Sequence, residues 1–328
     1  MYAPPFTITA ATVNLVAEIS ALLERFAIRL EQTDGLMLRK VNRMKTIRGS
    51  LAIEGNSLSE EQVTALIEGK HVVAPIKEIQ EVRNAILAYE QFPDLDPFSV
   101  KDLLKAHGIM AWGLVDNPGQ FRRGGVGVMG RSGISHVAPP AHMVSGLISE
   151  LFEWLKHAED HILIKSSVFH YEFEFIHPFE DGNGRMGRFW QSRLLTEWNP
   201  VFAHLPIENM IWENQAGYYK AIEQSTDDAD SGIFVEFMLK MICDAIQKHT
   251  TGDKTTSDVG VNVGVNVGVN EVHLLDLIRK NPMLSAKTAA EQLNLSQRQA
   301  ERIFSVLKEK GLIKRIGADK NGHWEIQD

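Results

Sequence analysis

Apolar residues recur at helical spacing through most of the first 250 residues of this 328-residue chain. Leu15, Ile19, Leu22 and Leu30 belong to the first such stripe, which predicts an amphipathic helix. A chain with so many helical stripes is restricted to an all-α main body. The later stripes lie at about 37–53, 79–91, 99–112, 143–157, 162–176, 185–197 and 232–248.

One segment, residues 119–140, interrupts this helical pattern. It contains six glycines and a Phe-Arg-Arg start, followed by short apolar alternation before Ile134-Ser135-His136-Val137. Glycines and alternation of this kind predict an irregular β-hairpin. The hairpin is either a surface excursion or an exposed strand edge that receives another chain.

Acidic residues outnumber basic ones by 42 to 34, which gives the chain a formal charge of −8. Residues 271–328 differ from the rest, because they hold ten Lys or Arg against eight Asp or Glu. The tail therefore carries +2 and residues 1–270 carry −10. An acidic surface repels phosphate, so this balance argues against a chain whose whole surface binds nucleic acid and suggests two parts with different roles.

The chain has one cysteine, Cys243, which excludes a disulfide framework and a cysteine-based structural zinc site. The stretch from Met1 to Val16 lacks a basic region and contains two adjacent prolines, unlike a signal peptide. The longest uncharged run, 132–149, contains prolines and glycines and does not suit a membrane span. We therefore expect a cytoplasmic protein with no membrane partner.

Residues 251–270 have the composition of a linker. They include the repeat Val-Gly-Val-Asn three times, from Val259 to Asn270, and this repeat offers no amphipathic face. Such low-complexity sequence is typical of a spacer. Its β-propensity leaves pairing with a free strand edge open as an alternative.

Residues 271–328 are predicted to form a helix, a helix-turn-helix and a short hairpin. This order resembles a winged helix-turn-helix domain. Glu301 and the small net charge oppose DNA binding, so DNA and protein partners both stay open for this domain. The side chains that suit base edges or phosphates are Gln297, Arg298, Gln299 and Arg302.

The densest polar motif is His-Pro-Phe-Glu-Asp-Gly-Asn-Gly-Arg-Met-Gly-Arg, at residues 177–188. It lies between two predicted helices. Residues 182–184 allow successive backbone N–H groups to point into one concavity, a nest, at the start of the second helix, which is an anion site. Arg185 and Arg188 share a face of that helix and can both reach the anion.

Two further side chains of the motif suit phosphate chemistry. Asp181 supplies a hard oxygen ligand, as Mg²⁺ on a polyphosphate requires. His177 is the group of this motif that can take a proton near neutral pH. A base, a metal-binding carboxylate, a nest and two arginines together predict a phosphate-transfer site.

Three other interpretations fit the motif less well. Its glycines have the spacing of a dinucleotide-binding fingerprint, and residues 171–176 alternate like a strand, but no βαβ pattern surrounds them. His170, Glu174 and His177 could be drawn as metal ligands, although their spacing is not that of a His-Glu-x-x-His helix. A purely structural turn needs neither the histidine nor the arginines.

Residues 177–188 match every fixed position of the pattern His-Pro-Phe-x-Asp/Glu-Gly-Asn-Gly-Arg-x-x-Arg, and on them the chain resembles the Fic family over roughly residues 1–250. Fic proteins are all-α enzymes that mostly transfer AMP from ATP to a hydroxyl group of a target protein. The resemblance implies an N-terminal helical region at 1–110 and a catalytic core at 111–250. Within the core, residues 119–140 would form the flap on which the target docks.

The resemblance also implies roles for single residues. His177 would be the general base that deprotonates the target hydroxyl, and Asp181 would hold Mg²⁺. Tyr218 would line the adenine site, with a purely structural role in the core as the alternative. Within the motif, the nucleotide-binding residues would be Gly182, Asn183, Gly184, Arg185, Met186, Gly187 and Arg188. On the flap, they would be Ile134, Ser135, His136 and Val137.

A second motif, Ser50-Leu-Ala-Ile-Glu54-Gly55, closes a predicted helix at about 37–55. Ser50 and Glu54 are four residues apart and so lie on one helix face. The segment resembles the inhibitory motif Ser/Thr-x-x-x-Glu-Gly/Asn of the Fic proteins that carry it N-terminal to the core. The resemblance implies that Glu54 pairs with Arg188 in the place of the γ-phosphate, so that ATP binds unproductively.

The sequence thus predicts a self-inhibited protein adenylyltransferase that uses ATP and Mg²⁺, modifies a Ser, Thr or Tyr hydroxyl and releases pyrophosphate. Modification of itself and removal of AMP stay open as further activities, and so does a homodimer. One alternative is a relative that transfers another phosphate-containing group. The other is a DNA-binding regulator that uses the Fic domain as a nucleotide sensor.

Overall fold

A computed structural model describes residues 2–32, 35–130, 133–250, 274–275, 277–279, 281–292, 297–309, 312–316 and 323–326. The side chains of some of these, including 35–40, 127–130 and 133–136, are not described. The chain divides into two compact units, Met1–Asp253 and Lys254–Asp328. The predicted linker at 251–270 lies outside the described residues.

Helices build the described part of the first unit, which confirms the all-α body predicted from the apolar periodicity. Two short 3-10 helices, Phe92–Asp94 and Pro200–His204, join longer ones. No helix in the described ranges is long and apolar enough to span a membrane. The α-helices are α1 (Ala10–Gln32), α2 (Gly35–Ile53), α3 (Glu60–Ile67), α4 (Ile76–Gln91), α5 (Val100–Met110), α6 (Ala141–His157), α7 (Ile162–Ile176), α8 (Asn183–Trp198), α9 (Ile207–Glu213), α10 (Gln215–Asp227) and α11 (Gly232–Thr250).

Three of these helices, α3, α9 and α10, were not indicated by apolar stripes. α3 begins with a capping box, in which the Ser59 side chain accepts from the Gln62 N–H and the Gln62 side chain accepts from the Ser59 N–H. α9 has only seven residues and packs against α2 and α11. Helices this short depend on tertiary packing, which sequence periodicity does not report.

α7 is the central helix of the first unit. Twelve of its fifteen residues are buried, and it packs against α6, α8 and α11. Residues 171–176 belong to this helix, so the dinucleotide-binding interpretation, which needs a strand there, is wrong. Because α7 ends at Ile176 and α8 begins at Asn183, the turn between them places the motif beside the core.

The predicted hairpin in the flap is confirmed. Strand β1 (Gly127–Gly130) pairs antiparallel with β2 (Gly133–Val137), and the register shifts between Val128 and Met129. A further hydrogen bond, from Ala138 N–H to the Val126 carbonyl at 3.2 Å, extends the pairing toward the base of the flap.

The second unit has its own small core. Residues 274–275 and 277–279 are helical, and α12 (Ala286–Gln292) and α13 (Gln297–Glu309) follow. Strands β3 (Ile313–Ile316) and β4 (His323–Ile326) pair antiparallel. Phe304 stacks on Trp324 with ring centres 4.9 Å apart. Parts of the predicted helix-turn-helix lie outside the described residues, so the winged-helix assignment stays a prediction.

α2 crosses α9 so closely that the two backbones touch at Gly49. A Cβ atom at this position would lie 2.7 Å from the backbone nitrogen of Asn209 and 2.8 Å from the carbonyl carbon of Glu208. Glycine is therefore required for this approach. The contact fixes the C-terminal half of α2, which carries Ser50 and the start of the second motif.

Substitution Gly49→Ala should lower the free energy of unfolding by about 1–3 kcal/mol, because the added methyl group meets rigid backbone. The matched control is Gly146→Ala in α6, where an added Cβ meets nothing within 4 Å. This change should raise stability by up to about 1 kcal/mol, because alanine favours helix. Urea and thermal unfolding of both variants measure the difference, and equal effects would contradict the close contact at Gly49.

Candidate functional site

The motif begins where α7 ends, at His177. This residue has a left-handed backbone (φ 50°, ψ 62°), and its N–H donates to the Phe173 carbonyl at 2.9 Å. A non-glycine residue in this conformation is uncommon and must be held by its surroundings. The imidazole Nδ1 lies 3.3 Å from the Glu174 carbonyl oxygen. Donation from Nδ1 to that oxygen makes Nε2 the basic nitrogen of the ring.

The start of α8 presents a row of backbone N–H groups. Gly182 has a φ of 86°, and the first intrahelical bond runs from the Met186 N–H to the Gly182 carbonyl at 2.9 Å. The N–H groups just before Met186 therefore precede the hydrogen-bonding ladder of the helix. The Asn183 side chain accepts from the Phe179 N–H at 2.8 Å and donates to the Phe179 carbonyl at 2.9 Å. An anion here would meet backbone N–H groups rather than the Asn183 amide.

Arg185 and Arg188 border this N-terminal turn. A Cβ atom on Gly182 would lie 3.5 Å from Arg185 Nη2, and one on Gly184 would lie 3.1 Å from Arg188 Nη1. Both arginines are buried, and three of their nitrogens (Arg185 Nε and Nη1, Arg188 Nη1) have no hydrogen-bond partner among the described residues. Buried donors without a partner are costly, so these three point to an anionic ligand.

The end of α2 brings a carboxylate to the same place. Glu54 Oε1 lies 2.7 Å from Nη2 of Arg188, which also donates to the Ser50 carbonyl at 3.0 Å. The same oxygen lies so close to Gly184 that a methyl group there would overlap it. Burial acts to lower the pKa of Arg188, but the charge of Glu54 outweighs it, and the pKa is raised above its ordinary value.

Contacts with two other helices hold Glu54 in this position. On one side, Gln215 of α10 donates to the Ile53 carbonyl at 2.7 Å. On the other side, the N–H and hydroxyl of Ser57 donate to the Glu78 carboxylate of α4 at 2.6 and 2.8 Å. Sequence analysis missed Gln215 and Glu78, because neither belongs to a motif and both are distant in the chain.

Asp181 is the predicted metal ligand. Its side chain is half exposed, Oδ1 accepts from the Gly182 N–H at 2.6 Å, and Oδ2 lies 3.3 Å from Arg185 Nη2. Within the described ranges, no group of three or more His, Cys, Asp or Glu side chains could hold a metal ion. A single carboxylate beside an anion nest fits a magnesium ion that arrives on a polyphosphate, because such an ion keeps few protein ligands.

His107 of α5 supports the turn from behind and was also missed by the sequence analysis. Its Nδ1 accepts from the Gly119 N–H at 2.9 Å, and its Nε2 donates to the Asp181 carbonyl at 3.1 Å. The ring stacks on Phe179, with centres 3.6 Å apart. Burial lowers the pKa of His107 to about 4, so the ring is neutral and keeps one donor and one acceptor. In the sequence, His107 is a single histidine in the apolar stripe at 99–112. Such histidines are too common to indicate a functional role.

Tyr218 lies in the core behind the motif. Its hydroxyl is 3.1 Å from Nε2 of His170, whose Nδ1 is 2.7 Å from the Gln191 amide oxygen. Burial lowers the pKa of His170 to about 3 and raises that of the nearby Glu174 to about 8. Both ring nitrogens of His170 already form hydrogen bonds, with Tyr218 and Gln191, so neither is available to a metal ion. This geometry argues against His170, Glu174 and His177 as metal ligands. The predicted adenine contact of Tyr218 stays a prediction.

The flap residues Ile134–Val137 lie on β2. The side chains of 134–136 lie outside the described set, and the Val137 side chain is 78% exposed. At the base of the flap, Arg122 donates to the His177 carbonyl at 2.7 Å. This contact links the flap to the motif and was not foreseen, because an arginine after a phenylalanine has many ordinary uses.

Comparison with known proteins places these features in a family context. Residues 97–195 match the sequence profile of the Fic/DOC family. A probable protein adenylyltransferase from Aquifex aeolicus is 35% identical over 92 residues, which are 28% of this chain and 27% of that protein. The protein adenylyltransferase Fic of Culex quinquefasciatus is 32% identical over 206 residues, which are 58% of this chain and 38% of that protein. The chain thus spans well under half the length of the curated relatives it matches.

Two solved structures extend the comparison. Fic-1 from Caenorhabditis elegans matches with a TM-score of 0.61 at 21% identity, over 75% of this chain and 74% of that one, which shows the fold alone. A Fic family protein from Desulfovibrio desulfuricans G20 matches with a TM-score of 0.74 at 41% identity, over 99% of this chain and 98% of that one. Because this similarity runs through both chains and includes the region that carries the motif, the chain belongs to the Fic family.

Proposed function

We propose that this protein is a protein adenylyltransferase, which transfers AMP from ATP to a Ser, Thr or Tyr hydroxyl of a target protein and releases pyrophosphate. The observation that carries the proposal is the set of three buried guanidinium nitrogens of Arg185 and Arg188 that have no partner among the described residues, at the N-terminus of α8, in the motif that also contains His177. The names of the curated relatives support AMP transfer rather than a nucleotide sensor or the transfer of another group.

The polyphosphate would lie along the start of α8. Backbone N–H groups of residues 183 and 184 would bind the α- and β-phosphates, as helix N-termini bind anions, while the Gly182 N–H stays on Asp181 Oδ1. Arg185 would stabilise the charge that develops during transfer, and Arg188 would bind the γ-phosphate. Donors that are already buried and oriented do not have to be reorganised during the reaction, so their electrostatic effect is strong.

The reaction would proceed by in-line attack. The oxygen of the target hydroxyl forms a bond to the α-phosphorus, and the bond from that phosphorus to the bridging oxygen breaks, so that pyrophosphate leaves. The hydroxyl proton passes to Nε2 of His177, the general base. As in other phosphoryl-type transfers, the protein contributes mainly position and charge stabilisation.

Asp181 would hold a magnesium ion that arrives with the nucleotide. When bound, this ion neutralises phosphate charge. The exposure of Asp181 and its place next to the nest support this role. The Gly182 N–H bond to Oδ1 keeps the carboxylate at the entrance of the nest.

The target would dock on the flap by strand addition. In the described part of the chain β2 pairs with β1 alone, so its other edge can pair with an extended segment of the target. Such pairing is made by hydrogen bonds between backbone groups, so it depends little on the side chains of the target. The target hydroxyl would then be presented beside the nucleotide.

Glu54 would keep the enzyme inactive by occupying the place of the γ-phosphate, so that ATP binds only in an unproductive pose. Its carboxylate pairs with Arg188 at 2.7 Å and covers Gly184, in the region where the phosphates would bind. A γ-phosphate and this carboxylate cannot share the site, because like charges repel and the space is occupied. Release of the C-terminal end of α2 would therefore be needed for productive binding of ATP.

The first test follows the label from ATP. With ATP labelled on the α-phosphate, the full-length Glu54→Gly variant should incorporate label into protein, whereas γ-label should not be incorporated. Adding His177→Ala to this variant should lower incorporation by about 10²–10⁴-fold, because a general base contributes that much. Incorporation of γ-label would indicate kinase chemistry, and undiminished transfer without His177 would contradict its role as base.

The second test concerns inhibition. Glu54→Gly should raise incorporation of α-label into the protein at least about tenfold. This factor corresponds to removing an inhibitory interaction free energy of about 1.4 kcal/mol. The matched control is Glu197→Gly, because Glu197 also pairs with a buried arginine, Arg193, at 2.8 Å but lies outside the site. The control should leave incorporation unchanged. Equal incorporation by wild type and Glu54→Gly would contradict the inhibitory role.

A further inference from the structure

Arg122 is a buried arginine at the base of the flap. The residue is only 3% exposed. Its backbone N–H donates a hydrogen bond to the Pro178 carbonyl at 2.9 Å. The guanidinium donates to four backbone carbonyl oxygens. These belong to His177 (from Nε, 2.7 Å), Gly124 (from Nη1, 2.8 Å), Pro139 (from Nη2, 2.5 Å) and Ile176 (from Nη2, 3.3 Å).

The acceptors come from three separate segments of the chain. Gly124 precedes β1, Pro139 follows β2, and residues 176–177 close α7. One planar group therefore joins both ends of the hairpin to the turn that carries His177. His107 also bonds to both, through the Gly119 N–H and the Asp181 carbonyl, but among the described residues Arg122 is the side chain that bonds to both ends of the hairpin.

The chemistry of this contact requires arginine. Within the described residues, no carboxylate lies in ion-pair distance of Arg122, and burial lowers the pKa of its guanidinium. Keeping an unpaired charge out of water is unfavourable, and an apolar side chain would fill the space without that penalty. A guanidinium has five donors spread over three nitrogens in one plane, whereas the three donors of lysine sit on one nitrogen and cannot span these four carbonyls.

The backbone of His177 gains most from this support. Its left-handed conformation is unfavourable for a residue with a side chain, and such residues persist where surrounding contacts hold them. The bond from Arg122 Nε to its carbonyl oxygen fixes the peptide group that follows the imidazole-bearing Cα. The direction of the side chain then follows from that of the backbone.

We infer that Arg122 is a positioning residue that holds the flap and His177 in a fixed relation, so that a hydroxyl presented on the flap meets the base. This inference deepens the proposed function and rests on it. The base must lie within hydrogen-bond reach of the proton it takes. Because a misplacement of about 1 Å can lower a rate about 10²-fold, the link between flap and turn controls transfer.

The test compares Arg122→Lys with a matched control in the full-length Glu54→Gly protein. The control is Arg193→Lys, since Arg193 is also buried and donates to a backbone carbonyl, that of Leu95, at 2.8 Å. Three quantities are measured: the affinity for ATP, the attachment of AMP to protein, and the release of free AMP by reaction with water.

Arg122→Lys should lower attachment of AMP to protein by about 10²-fold, as expected for a misplaced base and acceptor. Its affinity for ATP should stay within about twofold of the parent, because Arg122 does not contact the nest. The ratio of free AMP to attached AMP should rise, since water needs no flap. Arg193→Lys should change none of these. Equal attachment in both variants, or a parallel loss of ATP affinity, attachment and release, would overturn the inference.

A readout independent of activity completes the test. Amide hydrogen exchange should become faster together in residues 122–126, 137–138 and 176–177 of Arg122→Lys, and should not change there in Arg193→Lys. If exchange rose in only one of these segments, the proposed link would be wrong. If Glu54→Gly itself transferred no AMP, the proposed function would fail, while the exchange data would still test the link.

Discussion

The guanidinium of Arg188 has been removed from water, and an anion beside it offsets the cost of burying that charge. In this structure the anion is the carboxylate of Glu54, at 2.7 Å. In the proposed reaction it is a phosphate of ATP. Since both would occupy the space above the first turn of α8, the proposed inhibition and the proposed substrate binding would be two outcomes of one electrostatic requirement. The position of α2 would then determine which anion is present.

The rigid elements around the α7–α8 turn explain how this requirement can be met with defined geometry. α7 is enclosed by other helices, so the turn at its end has little freedom. His107 supports the turn from α5 through the Asp181 carbonyl, and Arg122 supports it from the base of the flap through the His177 carbonyl. Groups held in this way by packed helices and buried hydrogen bonds are well suited to positioning reactants.

Much of the fold and the motif could be predicted from local sequence. Apolar periodicity indicated the long helices, and glycines with alternation indicated the hairpin. α3, α9 and α10 were not predicted; α3 and α9 have only eight and seven residues and depend on their packing, as α9 does on α2 and α11. His107, Arg122 and Gln215 escaped notice for a related reason. Each donates a hydrogen bond to a backbone carbonyl that is distant in the chain. Every residue has such a carbonyl, so residue type and spacing do not indicate which one is bonded.

Residue type and spacing were enough to propose an anion nest, two arginines and a histidine as one site, because these lie within twelve consecutive residues and their geometry follows from one turn and one helix. The pairing of Glu54 with Arg188 joins residues 134 positions apart. Local sequence proposes such partners but does not bring them together. Packing does so, through the backbone contact at Gly49 and the hydrogen bond from Gln215 to Ile53, because these place the end of α2 over the start of α8.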